Sequence, residues 1–197
     1  MRPALPSSPS SERTAVPATG DLVGDPVAVD DVFAFVDISG FTSYCEGQGE
    51  HAAIQVLTGF RSITRAIAVR RGVRVAKWLG DGVMLVSAET GPLVAAVAEL
   101  LIRTAARGID THAGMARGPV LLFEGDDYVG RTVNLAARLC DVAGPGEVLC
   151  VALGDEVPEW VELVEAEPQE LAGMGVVDEL SRLVVRADVA AWFTVAA

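Results

Sequence analysis

Apolar runs broken by glycine and by single acidic residues divide this chain into alternating strand-like and helix-like stretches. VFAFV, residues 32–36, is a continuous apolar β run closed by Asp-Ile-Ser-Gly. Ile54, Leu57, Phe60, Ile63 and Ile67 then recur at helical spacing until Gly72. VRVAKWLGDGVMLVSA, residues 73–88, predicts two strands around a Gly-Asp-Gly turn, a type I′ hairpin with Asp81 at its tip. Pro92 opens a second helix, with Leu93, Val94, Val97, Leu100 and Leu101 on its core face and Gly108 at its end. THAGMA and PVLLFE, within 111–124, predict two further strands. VGRTVNLAARLCDVAG predicts a third helix stopped by Gly-Pro-Gly, and EVLCVA, VELVEA and LSRLVV predict the rest of the sheet. ADVAAWFTVAA has no assignment from its pattern. The order β-α-β-β-α-β predicts an α+β fold: a ferredoxin-like βαββαβ core with extra strands, a βαβ-type extension, and helices on one sheet face.

Composition refines this picture at the N-terminus. Residues 1–30 are rich in Pro, Ser and Thr, lack apolar periodicity, and predict a disordered leader; without a continuous apolar stretch they are not a signal peptide. The expected division is leader 1–30, folded domain 31–187 and tail 188–197. The run PLVAAVAELLIRTAA is interrupted by Glu99 and Arg103, so no membrane span is expected. Cys45, Cys140 and Cys150 show no metal-ligand spacing and suit a reducing, cytoplasmic setting. A net charge of −12 argues against a nucleic-acid or anionic-membrane surface. Such a protein needs metal cations or local arginine and lysine to accept a triphosphate.

Several polar residues fit that requirement. Asp37 ends an apolar strand and leads into a helix. Its carboxylate suits a hard cation, and the backbone N–H groups of residues 38–42 suit phosphate oxygens; capping the turn is the plain alternative. Asp81 emerges at the same sheet end if its strand neighbours that of Asp37. Two such carboxylates repel one another unless a metal lies between them. Lys77 and Asp127 form a donor–acceptor pair that matches adenine and mismatches guanine, although Lys77 also reads as an edge-strand solubility device. Asn134 and Arg138, at i and i+4, share a face of an apolar helix. Arg138 could fork onto phosphate oxygens or pair with Asp141. His112 reads as a core or edge residue. Glu46, Glu50 and His51 read as a solvated helix start.

FVDISGFT, KWLGD and DYVGRTVNLAARL together resemble the signature segments of class III nucleotidyl cyclases, over about residues 32–186. The resemblance implies a stand-alone bacterial-type adenylate cyclase that makes 3′,5′-cyclic AMP and pyrophosphate from ATP. It implies two Mg²⁺ or Mn²⁺ ions per site, held by Asp37, Asp81 and the Ile38 carbonyl, with Ser39, Gly40, Phe41 and Thr42 around the phosphates. Purine selection falls to Lys77 and Asp127, and transition-state contacts fall to Asn134 and Arg138. It further implies a homodimer in which the metal aspartates of one chain face Lys77, Asp127, Asn134 and Arg138 of the other. His112 stands where many relatives place a phosphate-binding arginine, and LAGMGVV lacks a lysine that some relatives direct at the phosphates. These departures imply weak activity and keep a degenerate nucleotide-binding regulator as an alternative. Guanylate cyclase is the alternative within the family.

Overall fold

The computed structural model describes residues 26–195, apart from 126 and 155. Residues 1–25, most of the expected leader, lie outside the described residues. The strand β1 runs Val27–Ile38, so residues 27–30 of that expected segment are sheet. The first helical stretch is two helices, α1 (Phe41–Gln48) and α2 (Glu50–Arg71), separated at Gly49. The hairpin strands β2 (Arg74–Leu79) and β3 (Gly82–Ser87) follow, then α3 (Thr90–Ala105). Strand β4 (Thr111–Phe123) pairs with short β5 (Asp127–Val129), which leads into α4 (Arg131–Val142). The remainder comprises β6 (Val148–Val151), β7 (Val161–Glu165), β8 (Gln169–Leu171), β9 (Gly175–Val177), β10 (Ser181–Val185) and α5 (Ala187–Val195).

The main sheet has the order β2-β3-β1-β4-β6-β10-β7. Its first four strands are the expected ferredoxin-like core. The parallel β4–β6 pair, reached through α4, is the expected βαβ extension. β1 shows why two layers can grip it. Val32, Ala34, Val36 and Ile38 point to a core that includes Phe60 and Ile63 of α2 and Leu93, Val97 and Leu100 of α3, while Phe33 packs on the other face with Val133 and Ala136 of α4. Helices therefore cover both faces, contrary to the one-faced arrangement expected. Gly114 makes the α4 contact possible: a Cβ there would sit 2.2 Å from the Ala136 carbonyl oxygen and from the Cys140 nitrogen.

Other details also depart from expectation. THAGMA and PVLLFE are one strand, because β4 pairs with β1 continuously from Ile38↔Thr111 to Val27↔Leu122, across Pro119. At the β2–β3 turn only Gly80 has positive φ (66°), so the turn is not type I′. Ile54, expected in the core, is 60% exposed. The unassigned tail is α5, anchored by Phe193, whose ring meets Trp160 edge-on at 5.6 Å. Among the described residues no helix is long and apolar enough to cross a membrane.

Candidate active site

Because β1 and β3 are antiparallel neighbours with Val36 opposite Val83, Asp37 at the end of one strand meets the hairpin tip that carries Asp81. Both line a cleft of about 260 Å³ with Leu79, Gly82, Cys140 and Asp141. Gly82 leaves room for the Asp37 carboxylate, since a Cβ at that position would lie 2.9 Å from Asp37 Oδ1. Burial raises the Asp37 carboxyl above its ordinary value, and the Asp81 and Asp141 charges raise it further. His112 and the Ile38 N–H partly offset them. The expected neighbourhood of Asp37 and Asp81 is therefore present, with Asp141 as a third carboxylate. The sequence offered Asp141 only as a partner for Arg138.

The cleft's chemistry suits a hard divalent cation. Its donors are carboxylate oxygens, and Mg²⁺ is commonly held by one or two carboxylates with water and substrate phosphates completing the shell. The Cys140 thiol, pushed up to about 12 chiefly by burial, is neutral in the metal-free cleft. Among the described residues no group of three or more His, Cys, Asp or Glu forms a self-sufficient metal cage.

Around the start of α1 the donors are fewer than expected. The Ile38 N–H serves the Asp37 carboxylate, and the Ser39 N–H donates to the Asp110 carbonyl at 2.8 Å. Helix geometry leaves the first-turn N–H groups of Phe41 and Thr42 outside the α1 ladder, with Gly40 at its N-cap. Ser39 Oγ lies 2.9 Å from His112 Nδ1. Ile38 is 6% exposed and paired with Thr111 in the sheet.

Lys77 and Asp127 are brought together across 50 residues of sequence: Lys77 Nζ donates to Asp127 Oδ1, and both side chains are half-exposed. They do not line the Asp37–Asp81 cleft. α4 buries Thr132, Val133, Ala136, Leu139 and Cys140, so Asn134 and Arg138 face solvent, not the apolar side. Arg138 Nη1 donates to Asp141 Oδ2 at 2.7 Å, which ties the arginine to the cleft rim. Glu46, Glu50 and His51 are exposed, as expected.

Arg61 of α2 was not singled out by the sequence. Its Nη2 donates to the Gly80 carbonyl at 3.0 Å, next to Asp81, and its guanidinium lies 5.1 Å from the Trp78 ring centre. Arg65 stands at the same 5.1 Å from that ring. Two arginines one turn apart on a core helix were the available signal, but their target lies on the hairpin and has no local mark in the sequence.

No family model matches the sequence. An uncharacterized protein of Mycobacterium tuberculosis is 37% identical over 142 residues, 71% of this chain and 37% of the relative. A Streptomyces coelicolor protein named adenylate cyclase is 33% identical over 118 residues, 58% of this chain and 30% of the relative. This chain thus spans about a third of the length of these relatives. Among solved structures, the catalytic core of a rhodopsin-guanylyl cyclase with converted specificity, in complex with ATPαS, superposes with TM-score 0.72 at 20% identity over 82% of this chain and 99% of that one. The adenylyl cyclase CyaB from P. aeruginosa gives 0.69 at 22% identity, over 83% of this chain and 98% of that one. Sequence likeness and sheet architecture point the same way: this chain carries a class III adenylyl/guanylyl cyclase catalytic domain.

Proposed function

We propose that the protein is an adenylate cyclase that converts ATP to 3′,5′-cyclic AMP and pyrophosphate in sites shared by two copies of the chain. The observation that carries this reading is the pairing of Asp37 with Asp81 in a cleft whose lining, among the described residues, includes no lysine or arginine. Arg138 of the same chain meets Asp141 at the rim, but Asp37 and Asp81 have no ion pair in the cleft among the described residues, so a bound cation would offset their charge. Mg²⁺ or Mn²⁺ bound there would offset triphosphate charge and acidify the ribose 3′ hydroxyl. Asp37 and Asp81 would hold it, with the Ile38 carbonyl as a further ligand.

In the reaction the 3′ oxygen bonds to the α-phosphorus while the bond to the bridging oxygen breaks. Pyrophosphate leaves with the electron pair, and the 3′ proton goes to water. Ser39, Gly40, Phe41 and Thr42 surround the phosphates, with the free N–H groups at the start of α1 as donors. Lys77 donates to a purine ring nitrogen and Asp127 accepts from the 6-amino group. This pattern fits adenine and mispairs with guanine. Arg138 exchanges Asp141 for phosphate oxygens, and Asn134 orients the ribose, so that developing charge meets fixed donors. The solvent-facing position of Asn134 and Arg138 supports their action in a partner's cleft. The bacterial relative named adenylate cyclase supports the ATP reading.

The test is purified protein with Mn²⁺ and either ATP or GTP, with cyclic nucleotide measured. Cyclic AMP from ATP, little product from GTP, and none from Asp81→Ala are expected. A folded protein that forms no cyclic product from either substrate would replace the enzyme reading with a nucleotide-binding regulator.

A further inference from the structure

At the other end of β3 from the cleft, charge is arranged in the opposite sense. Glu99 of α3 is 1% exposed and is met by Arg70 and Arg71 from the last turn of α2 and by Arg103 one turn along α3. Arg71 donates to Glu99 Oε2 from Nε at 3.0 Å and from Nη2 at 2.8 Å. Arg103 Nε lies 2.7 Å from Oε1, and Arg70 donates to the same oxygen. A single carboxylate cannot neutralise both Arg70 and Arg71, and the Arg70 guanidinium carries more N–H donors than its bond to Glu99 uses. Arg70 and Arg71 together carry one more charge than the Glu99 carboxylate offsets, in a chain whose net charge is −12.

That excess faces a built groove. Arg70 and Arg71 line an open cavity of about 590 Å³ together with Pro92 and Ala95 of α3 and with Pro158, Trp160 and Trp192. Trp192 is 63% exposed, yet the helix beneath it is fixed: Phe193 is 3% exposed, contacts the Trp192 and Trp160 rings, and lies 5.6 Å from the Arg71 guanidinium. The Glu99 carboxylate orients the cationic edge, and buried Phe193 orients the aromatic wall. Arg70, half-exposed on its side chain, is the donor that faces out.

We propose that this groove is a second binding site, for a small anion that carries a planar ring: the anionic group on Arg70 and the ring against Trp192. Charge-assisted bonds to guanidinium and ring stacking on an exposed indole are the two recognition modes it offers. The site is independent of the cyclase reading.

The test is calorimetric titration of the full chain with 1-naphthoate, and with cyclohexanecarboxylate as an anion of equal charge without an aromatic ring. Saturable naphthoate binding is expected, weakened roughly tenfold by Arg70→Gln and comparably by Trp192→Ala. Cyclohexanecarboxylate should bind several-fold more weakly, and Asp81→Ala should leave naphthoate affinity unchanged. In Arg70→Gln the ion pairs of Arg71 and Arg103 with Glu99 remain, and thermal melts verify that both variants are folded. No saturable binding of naphthoate, or affinity unaltered in both folded variants, overturns the proposal. So does equal affinity for the two anions, or loss of binding in Asp81→Ala.

Discussion

Two acidic centres lie at opposite ends of β3, and the chain treats them in opposite ways. Glu99 is buried, which alone would raise its carboxyl, but hydrogen bonds and charge from Arg71 and Arg70 outweigh burial and bring it below its ordinary value. Asp37 is half-buried and raised, chiefly by that burial and then by the Asp81 and Asp141 charges, which outweigh the opposing His112 and Ile38 N–H. The first carboxylate has more counter-charge than it needs, all supplied by the chain. The second has less, and the deficit is what a metal ion would fill. Internal compensation marks the carboxylate that serves the fold. Its absence marks the one available for chemistry.

The largest expected effects lie at the uncompensated centre. Asp37→Ala and Asp81→Ala should each lower metal-dependent cyclase turnover by more than about a hundredfold while circular dichroism stays unchanged. Turnover retained in either variant would break the contrast. At the compensated centre the effect should instead be on stability. Glu99→Gln leaves Arg70 and Arg71 without their carboxylate and should destabilise by about 3–5 kcal/mol in denaturant titrations. Because the Glu99 carboxyl is depressed, its stabilisation is present above the ordinary value of 4.5 and is lost as pH falls. The deficit of Glu99→Gln should therefore shrink in acid, and a pH-independent deficit contradicts the assignment.

A subtler effect sharpens the comparison. Asp37 is raised, so ionised Asp37 costs stability at neutral pH, and that cost vanishes below its ordinary value of 3.8, where folded and unfolded forms are both protonated. Without metal, Asp37→Asn should raise Tm at neutral pH and leave it unchanged near pH 3; a lower Tm at neutral pH would show that the charge is compensated after all. Smallest of all, Arg61→Ala removes one hydrogen bond from the Gly80 carbonyl and should weaken Mn²⁺ affinity roughly three- to tenfold. Arg65→Ala, which touches Trp78 but makes no bond to Gly80, should leave that affinity near wild type. Equal effects of the two would reduce Arg61 to a packing role.

The two centres also differ in how far the sequence displayed them. Asp37 and Asp81 stood out because each ends an apolar strand, and a strand end is a local pattern. Glu99 looked like a mere interruption of an apolar helix, since its arginines Arg70 and Arg71 lie on another helix and pair with it only after α2 and α3 pack. The i, i+4 spacing of Asn134 and Arg138 puts them on one helix face, as the structure has them, but that face is the solvent side and not the apolar one. The apolar stripe of α4 runs through Val133, Ala136, Leu139 and Cys140 and leaves both on the solvent side. The split of β4 at Pro119 failed for a related reason: pairing with β1 along its whole length outweighs a proline's local preference. Helices on both sheet faces were equally invisible, because nothing in VGRTVNLAARL says which face it will cover.

The central claim is that an uncompensated cleft in one chain is completed by Arg138 of another. Mixing Asp37→Ala and Arg138→Ala proteins, each nearly inactive alone, tests it. In a head-to-tail homodimer, random subunit exchange gives heterodimers with one doubly damaged and one intact site, so activity should recover to roughly a quarter of wild type. Activity that stays at the level of the two parents, despite demonstrated subunit exchange, would mean that each chain carries its own complete site.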